Sequence, residues 1–264
     1  MINLDIKKIT KLLIIIAVLL VLWLCAAYYL VAVKGDSIYV PELSKNLSYK
    51  VPIKTDYVKN KAGENIEILT TQSQKPNSAE IFLYFHGNGG RSPRLIEEMA
   101  KFGTVISPAY PGFSGSEGKP SSEKIYETAD LTMAWLVDQG ITPSQIIVIG
   151  HSMGGSAALY TASEYPDLKK MILVGAFYSI QAMCETQFSI LCVMASNILN
   201  NSYYAPQIRV KVRQFHNPND QTVPFSQGKN IFDLIPSKDK KFIELRGGGP
   251  DFHNNFSVAE ILVD

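Results

Sequence analysis

This 264-residue chain is short of cysteine, tryptophan and histidine, with three, two and four, and neither charge sign dominates: 25 basic side chains stand against 24 acidic ones. Each shortage excludes something. Three cysteines cannot build a disulfide framework, and one of them, Cys25, lies inside an apolar N-terminal stretch. Cys184 and Cys192 can pair if the chain faces an oxidising compartment, or can serve as two small buried thiols. A formal net charge of +1 leaves no electrostatic footprint for a polyanion, so nucleic acid is not an expected partner. No block of like charge forms a binding tail, and no segment repeats.

What is present begins at the N-terminus. From Leu12 to Val33 the chain runs 22 residues without a charge. At ~1.5 Å per residue that is enough to cross a hydrocarbon core of ~30 Å. Lys7, Lys8 and Lys11 flank one end, while Trp23, Tyr28 and Tyr29 put aromatic rings towards the other. A cleaved signal peptide is the alternative, but its apolar core usually runs only ~7 to 15 residues before a small-x-small site. Here the run continues past Cys25-Ala26-Ala27. The basic flank favours a single-pass anchor with a cytoplasmic N-terminus and the remaining chain on the extracytoplasmic side. The expected organisation is therefore an anchor or signal segment over residues 1–36, a polar tether over 37–52, and one domain over 53–264.

Within that domain, short β-rich runs alternate with helical patterns. Ile81 to Phe85 and Ile146 to Ile149 are continuous apolar runs, as expected for strands covered on both faces of a parallel sheet. Eight strands are expected: Ile53 to Val58, Ile66 to Thr70, Ile81 to Phe85, Thr104 to Ser107, Ile146 to Gly150, Lys170 to Val174, Val210 to His216 and Lys241 to Leu245. Helical patterns fill the intervals at Pro93 to Phe102, Ser122 to Gln139, Ser152 to Glu164, Cys184 to Leu199, Phe225 to Leu234 and His253 to Leu262. Such alternation implies an α/β fold whose ligand site lies at the carboxyl ends of the strands.

Directly after the strand ending at Ile149 comes Gly150-His151-Ser152-Met153-Gly154-Gly155, a G-x-S-x-G opening a helix. This context is that of a nucleophile elbow, in which the turn must be tight enough that side chains at the flanking glycines would crowd it. Serine is a weak nucleophile by itself and needs a base oriented by a third group. In this architecture the order is serine, acid, histidine, and of the four histidines only His253 follows the acid candidates that end strands. Asp220, in the turn-rich loop His216-Asn217-Pro218-Asn219-Asp220, is the expected acid, with Asp251 as the rival. The developing oxyanion needs backbone donors, for which Met153 and Asn88 in His86-Gly87-Asn88-Gly89-Gly90 are the candidates. His86 reads as a structural hydrogen-bonding residue under that loop.

With these motifs in place, the chain from about Val51 onward resembles the α/β-hydrolase superfamily. His86-Gly87-Asn88-Gly89-Gly90, Tyr110-Pro111-Gly112-Phe113-Ser114-Gly115, Gly150 to Gly155 and the Asp220 loop are similar to its membrane-anchored Bem46-like branch. Pro111 and Ser114 depart from that branch, as does Pro250-Asp251-Phe252 between the last glycines and His253. The resemblance implies a mostly parallel eight-stranded sheet and a serine hydrolase acting on a carboxylic ester or thioester, of the esterase, lipase or thioesterase type, without metal or organic cofactor. The apolar stretch Ala176 to Tyr204, with Met183, Phe188, Ile190, Leu191, Val193 and Met194, stands where relatives line acyl pockets. An ordinary helix packed on the sheet is the alternative. Two further readings compete for the whole protein: a catalytically silent, membrane-tethered binding protein, and an acyltransferase using the same three residues.

Overall fold

The computed structural model describes residues 6–28, 38–185, 198–245 and 256–263. The first element, α1 (Ile6–Tyr28), is an apolar helix whose side chains over residues 11–26 are solvent-exposed. Its 23 residues extend ~34 Å, so by length and composition it qualifies as a membrane span.

Eight strands form one sheet: β1 (Lys54–Lys59), β2 (Asn65–Thr71), β3 (Ile81–Phe85), β4 (Thr104–Pro108), β5 (Ile146–His151), β6 (Lys170–Val174), β7 (Val212–His216) and β8 (Lys240–Glu244). Their order is β1-β2-β4-β3-β5-β6-β7-β8, antiparallel at β1–β2 and β2–β4 and parallel elsewhere. This is the expected α/β architecture. Helices α2 (Pro93–Ala100), α3 (Ser122–Asp138), α4 (Gly154–Glu164), α5 (Ile180–Glu185), α6 (Phe225–Leu234) and α7 (Val258–Leu262) follow strands in turn.

Strand alternation divides the core into two layers. Leu83, Phe85, Ile146 and Val148 meet α3 and α4 through Ile125, Met133, Ala157 and Ala158. Phe82, Tyr84, Ile147 and Ile149 meet α2 and α7 through Leu95, Met99, Val258 and Ile261. Period-two side-chain placement thus makes one unbroken apolar run serve both layers, each full burial contributing about 1.5–3 kcal/mol. The ends of the helices follow local chemistry. Ser121 caps α3 by accepting from Lys124 N at 3.3 Å, and Gly140 at φ +80° ends it in the left-handed conformation.

Two helix expectations change. The helix expected from Cys184 to Leu199 starts earlier, its described part being Ile180–Glu185, and Leu199 is non-helical at φ 43°; residues 186–197 of that expectation lie outside the described residues. Ser179 makes the earlier start possible, its hydroxyl accepting from Ala182 N at 3.0 Å. The last helix, expected from His253, is Val258–Leu262 in its described part, capped by Ser257. Residues 38–52, expected as tether, lie against the domain, with Tyr39, Ser44 and Val51 buried.

Candidate active site

The elbow is built by close approach of backbone. A Cβ at Gly150 would stand 2.6 Å from Gly154 O and 2.7 Å from Ala158 Cβ, and one at Gly154 would collide with the Phe85 carbonyl and lie 2.7 Å from His86 O. Glycine is therefore required at both positions, because strand β5 and helix α4 meet backbone to backbone and α4 abuts the end of β3. The turn drives Ser152 to φ 53°, an uncommon conformation for a residue with a Cβ. It is held by Ser152 N donating to Val174 O at 2.8 Å and Gly155 N donating to Ser152 O at 2.9 Å. Met153 follows as the residue that opens α4. Its amide belongs to the helix's first turn, where N–H groups have no intrahelical acceptor and the helix dipole favours negative charge.

Opposite stands the loop after β3. Gly87 and Gly90 pair across it, with Gly90 N donating to Gly87 O at 3.0 Å, and a Cβ at Gly87 would meet Ser152 Cβ at 3.3 Å. His86 beneath it is fully buried, stacked against Tyr110 and Phe113 at 4.4 and 5.2 Å, with Nδ1 2.7 Å from Gly87 O. Burial lowers its pKa to about 4, against a smaller opposing effect of the Gly87 carbonyl, so the ring is neutral. This is the structural role expected of it. Arg91, next in sequence, is also buried; it pairs with Glu67 and donates from Nη1 to Ser107 O at 2.9 Å, tying the loop to β2 and β4. Sequence gave no signal that this particular arginine would be internal.

Asp220 is buried just past β7. Its Oδ1 accepts from Thr222 N at 2.8 Å and Val223 N at 2.9 Å, and Oδ2 lies 3.7 Å from His216 Nε2. The turn therefore fixes one carboxylate oxygen. Asp233, on α6, and Asp239, before β8, are exposed, and Asp239 accepts from Arg213 at 2.8 Å. His253 and Asp251 lie outside the described residues, as do Phe188, Ile190, Leu191, Val193, Met194 and Cys192. Cys184 is disulfide-bonded and Cys25 is free.

Ser152 opens onto two cavities. One, of about 140 Å³, is mostly apolar and is lined by Met153, Phe177, Ile180, Met183, Leu199 and Val223, with Asn88 at its edge. The other, of about 390 Å³, runs along the loop Gly87 to Ser92 past His151 and Thr222. Ser152, Met153 and Asn88 are thus gathered at one point, together with Thr222 and Val223 from the loop that orients Asp220. Among the described residues, no group of three or more histidine, cysteine, aspartate or glutamate side chains is arranged to hold a metal ion.

Residues 80–242 match the family model described as the alpha/beta hydrolase fold, and the chain belongs to that family. The class so defined is the alpha/beta hydrolase fold, and its relatives mark the Bem46-like branch. Protein bem46 of Schizosaccharomyces pombe is 28% identical over 186 residues, covering 66% of this chain. The match spans 62% of bem46, short of two thirds of its length. The uncharacterized membrane protein YNL320W of Saccharomyces cerevisiae is 28% identical over 212 residues, covering 75% of this chain and 72% of that protein. Among solved structures, an esterase of Pyrococcus furiosus superposes with a TM-score of 0.58 at 16% identity, covering 74% of this chain and 82% of that one. A likeness at that identity speaks for the fold.

Proposed function

We propose that this protein is a membrane-anchored serine hydrolase that cleaves carboxylic ester or thioester bonds through an acyl-enzyme on Ser152. The observation that carries the reading is Ser152 itself: a buried serine at φ 53° at the head of α4, opening onto a cavity shared with Asn88, Met153 and the Asp220 loop.

In this reading His253 is the general base and Asp220 its orienting carboxylate. His253 takes the hydroxyl proton as Ser152 Oγ attacks the acyl carbonyl carbon. The carbonyl oxygen becomes an oxyanion that accepts from the backbone amides of Met153 and Asn88, donors fixed before the charge develops. Collapse breaks the bond to the alcohol or thiol, which leaves with the proton from His253. Water then attacks the acyl-enzyme, giving its proton to His253, and the second collapse returns that proton to Ser152 Oγ and releases the acid. The apolar 140 Å³ cavity supports an acyl substituent of modest length, with Met183 the member of the expected acyl-lining set on its wall.

The anchor is residues 12–33, with the N-terminus cytoplasmic and the hydrolase on the extracytoplasmic side. The disulfide at Cys184 supports that placement, because such bonds persist in oxidising compartments. A fluorophosphonate probe tests the reading. Covalent labelling of the wild type and none of Ser152→Ala is expected; equal labelling of both, or of neither, refutes it.

A further inference from the structure

The chain leaving the N-terminal helix does not merely tether the domain. Residues 38–44 run across the mouth of the site, pinned by the buried side chains of Tyr39 and Ser44. Val40 N donates to Asn88 Oδ1 at 3.0 Å, and Asn88 Nδ2 donates to the Ile38 carbonyl at 2.5 Å. A donor on one side and an acceptor on the other define which amide atom faces which, so the Asn88 side chain is held at both ends. Four residues on, Ser114 N donates to Ser44 Oγ at 2.8 Å and Ser114 Oγ to Ser44 O at 3.2 Å. Ser44 packs so closely on Gly90, at φ +86°, that a Cβ there would overlap its own Cβ and lie 3.0 Å from its Cα. The segment therefore grips the loop at Asn88 and at Gly90, and Ile38 lines the apolar cavity at Ser152.

We propose that residues 38–44 are a working part of the active site: the two-ended clamp positions the Asn88 amide for the oxyanion, and Ile38 is a specificity-determining wall of the acyl cavity. This rests on the Ser152 reading above. The physical need is clear in the loop's composition. Gly87, Gly89 and Gly90 give the backbone around Asn88 little stiffness of its own, and an oxyanion donor stabilises charge only if it is fixed beforehand. Asn88 is here a positioning residue through its side chain, distinct from the donation by its backbone amide. The arrangement also limits geography. Ile38 is ten residues beyond Tyr28, so this wall of the cavity lies within ~35 Å of Tyr28 in the described part of the apolar helix. A site so tethered takes its acyl substrates from close to a membrane surface.

The test uses the full chain in detergent, with acetyl and octanoyl p-nitrophenyl esters and the fluorophosphonate probe. Asn88→Ala is expected to lower kcat about tenfold with KM changed less than about twofold, the signature of a backbone donor misplaced for the transition state. Ile38→Trp is expected to lower the octanoyl-to-acetyl ratio of kcat/KM by about tenfold, and Ile38→Ala to raise it, since each acts by filling or emptying the cavity. A purely structural strap would lower melting temperature in all three variants without moving either the kcat-to-KM split or the chain-length ratio, and that result overturns the proposal. Should Asn88→Ala fail to fold, the two Ile38 variants decide alone: an unchanged ratio in both overturns it. If the wild type takes no label, the Ser152 reading fails and this inference with it. If the wild type labels and the variants match it in kcat and in ratio, only the strap inference falls.

Discussion

If Ser152 is the proposed nucleophile, a single methyl group at Gly150 should slow its labelling steeply while leaving the chain folded. In Gly150→Ala the new Cβ would stand 2.6 Å from Gly154 O and 2.7 Å from both Ala158 Cβ and Gly155 Cα. Two of those three atoms are backbone, so no side chain can swing aside; β5 and the first turn of α4 must separate by about 0.8 Å to restore ordinary contact. Overpacking of this kind costs about 1–3 kcal/mol. In a domain of this size that is a fall of roughly 2–12 °C in melting temperature. Ser152 is the hinge between the two elements, and a displacement near 1 Å costs on the order of 100-fold in rate. Fluorophosphonate labelling rate, read beside a thermal melt, is the assay. Gly63→Ala is the control. Its φ of +81° strains the substitution as well, but nothing lies within 4 Å of the new Cβ, so it should lose about 1 kcal/mol and label normally. If Gly150→Ala labels within threefold of wild type, the close-approach account of the elbow is wrong.

Two other outcomes follow from buried charge chemistry. The pKa of His86 is lowered to about 4 in the fold against 6.5 when unfolded, so the neutral ring's contribution to stability is fully present above pH 6.5 and drains as pH falls towards 4, by up to about 3 kcal/mol; denaturant melts from pH 7 to 4 should show this slope, and it should flatten in His86→Gln. Replacing Glu67 by Gln leaves the Arg91 guanidinium buried without its carboxylate. That should cost about 3–5 kcal/mol and lower the melting temperature by roughly 6–20 °C; an unshifted melt would show that the pair contributes nothing.

The alternation of apolar runs and helical patterns in the sequence was enough for the sheet. All eight expected strands occur within two residues of their expected ends, because a strand covered on both faces has few polar positions and leaves an unmistakable run such as Ile146 to Ile149. Ser152, Met153 and Asn88 were legible for a different reason. Each sits in a glycine-bounded turn after a strand, and at the Ser152 elbow backbone crowding permits no other residue type at Gly150 and Gly154. The start of the helix after β6 was placed four residues late because periodicity alone does not say where Ser179 will cap it.

By itself, then, the sequence determined what local sterics and solvent exposure control: the order of elements, the elbow, the apolar N-terminal helix and the candidate acid after β7. Only the tertiary structure decided the partnerships between distant residues. Nothing local distinguishes Ile38, Val40 and Ser44 from any polar tether, since their meaning lies in hydrogen bonds to Asn88 and Ser114 some 50 and 70 positions away. The same holds for Arg91, whose charge reads as a surface residue until Glu67 is folded against it. Such contacts depend on where the chain returns after long loops close, and that is fixed by the packing of the whole sheet rather than by any segment's own preference.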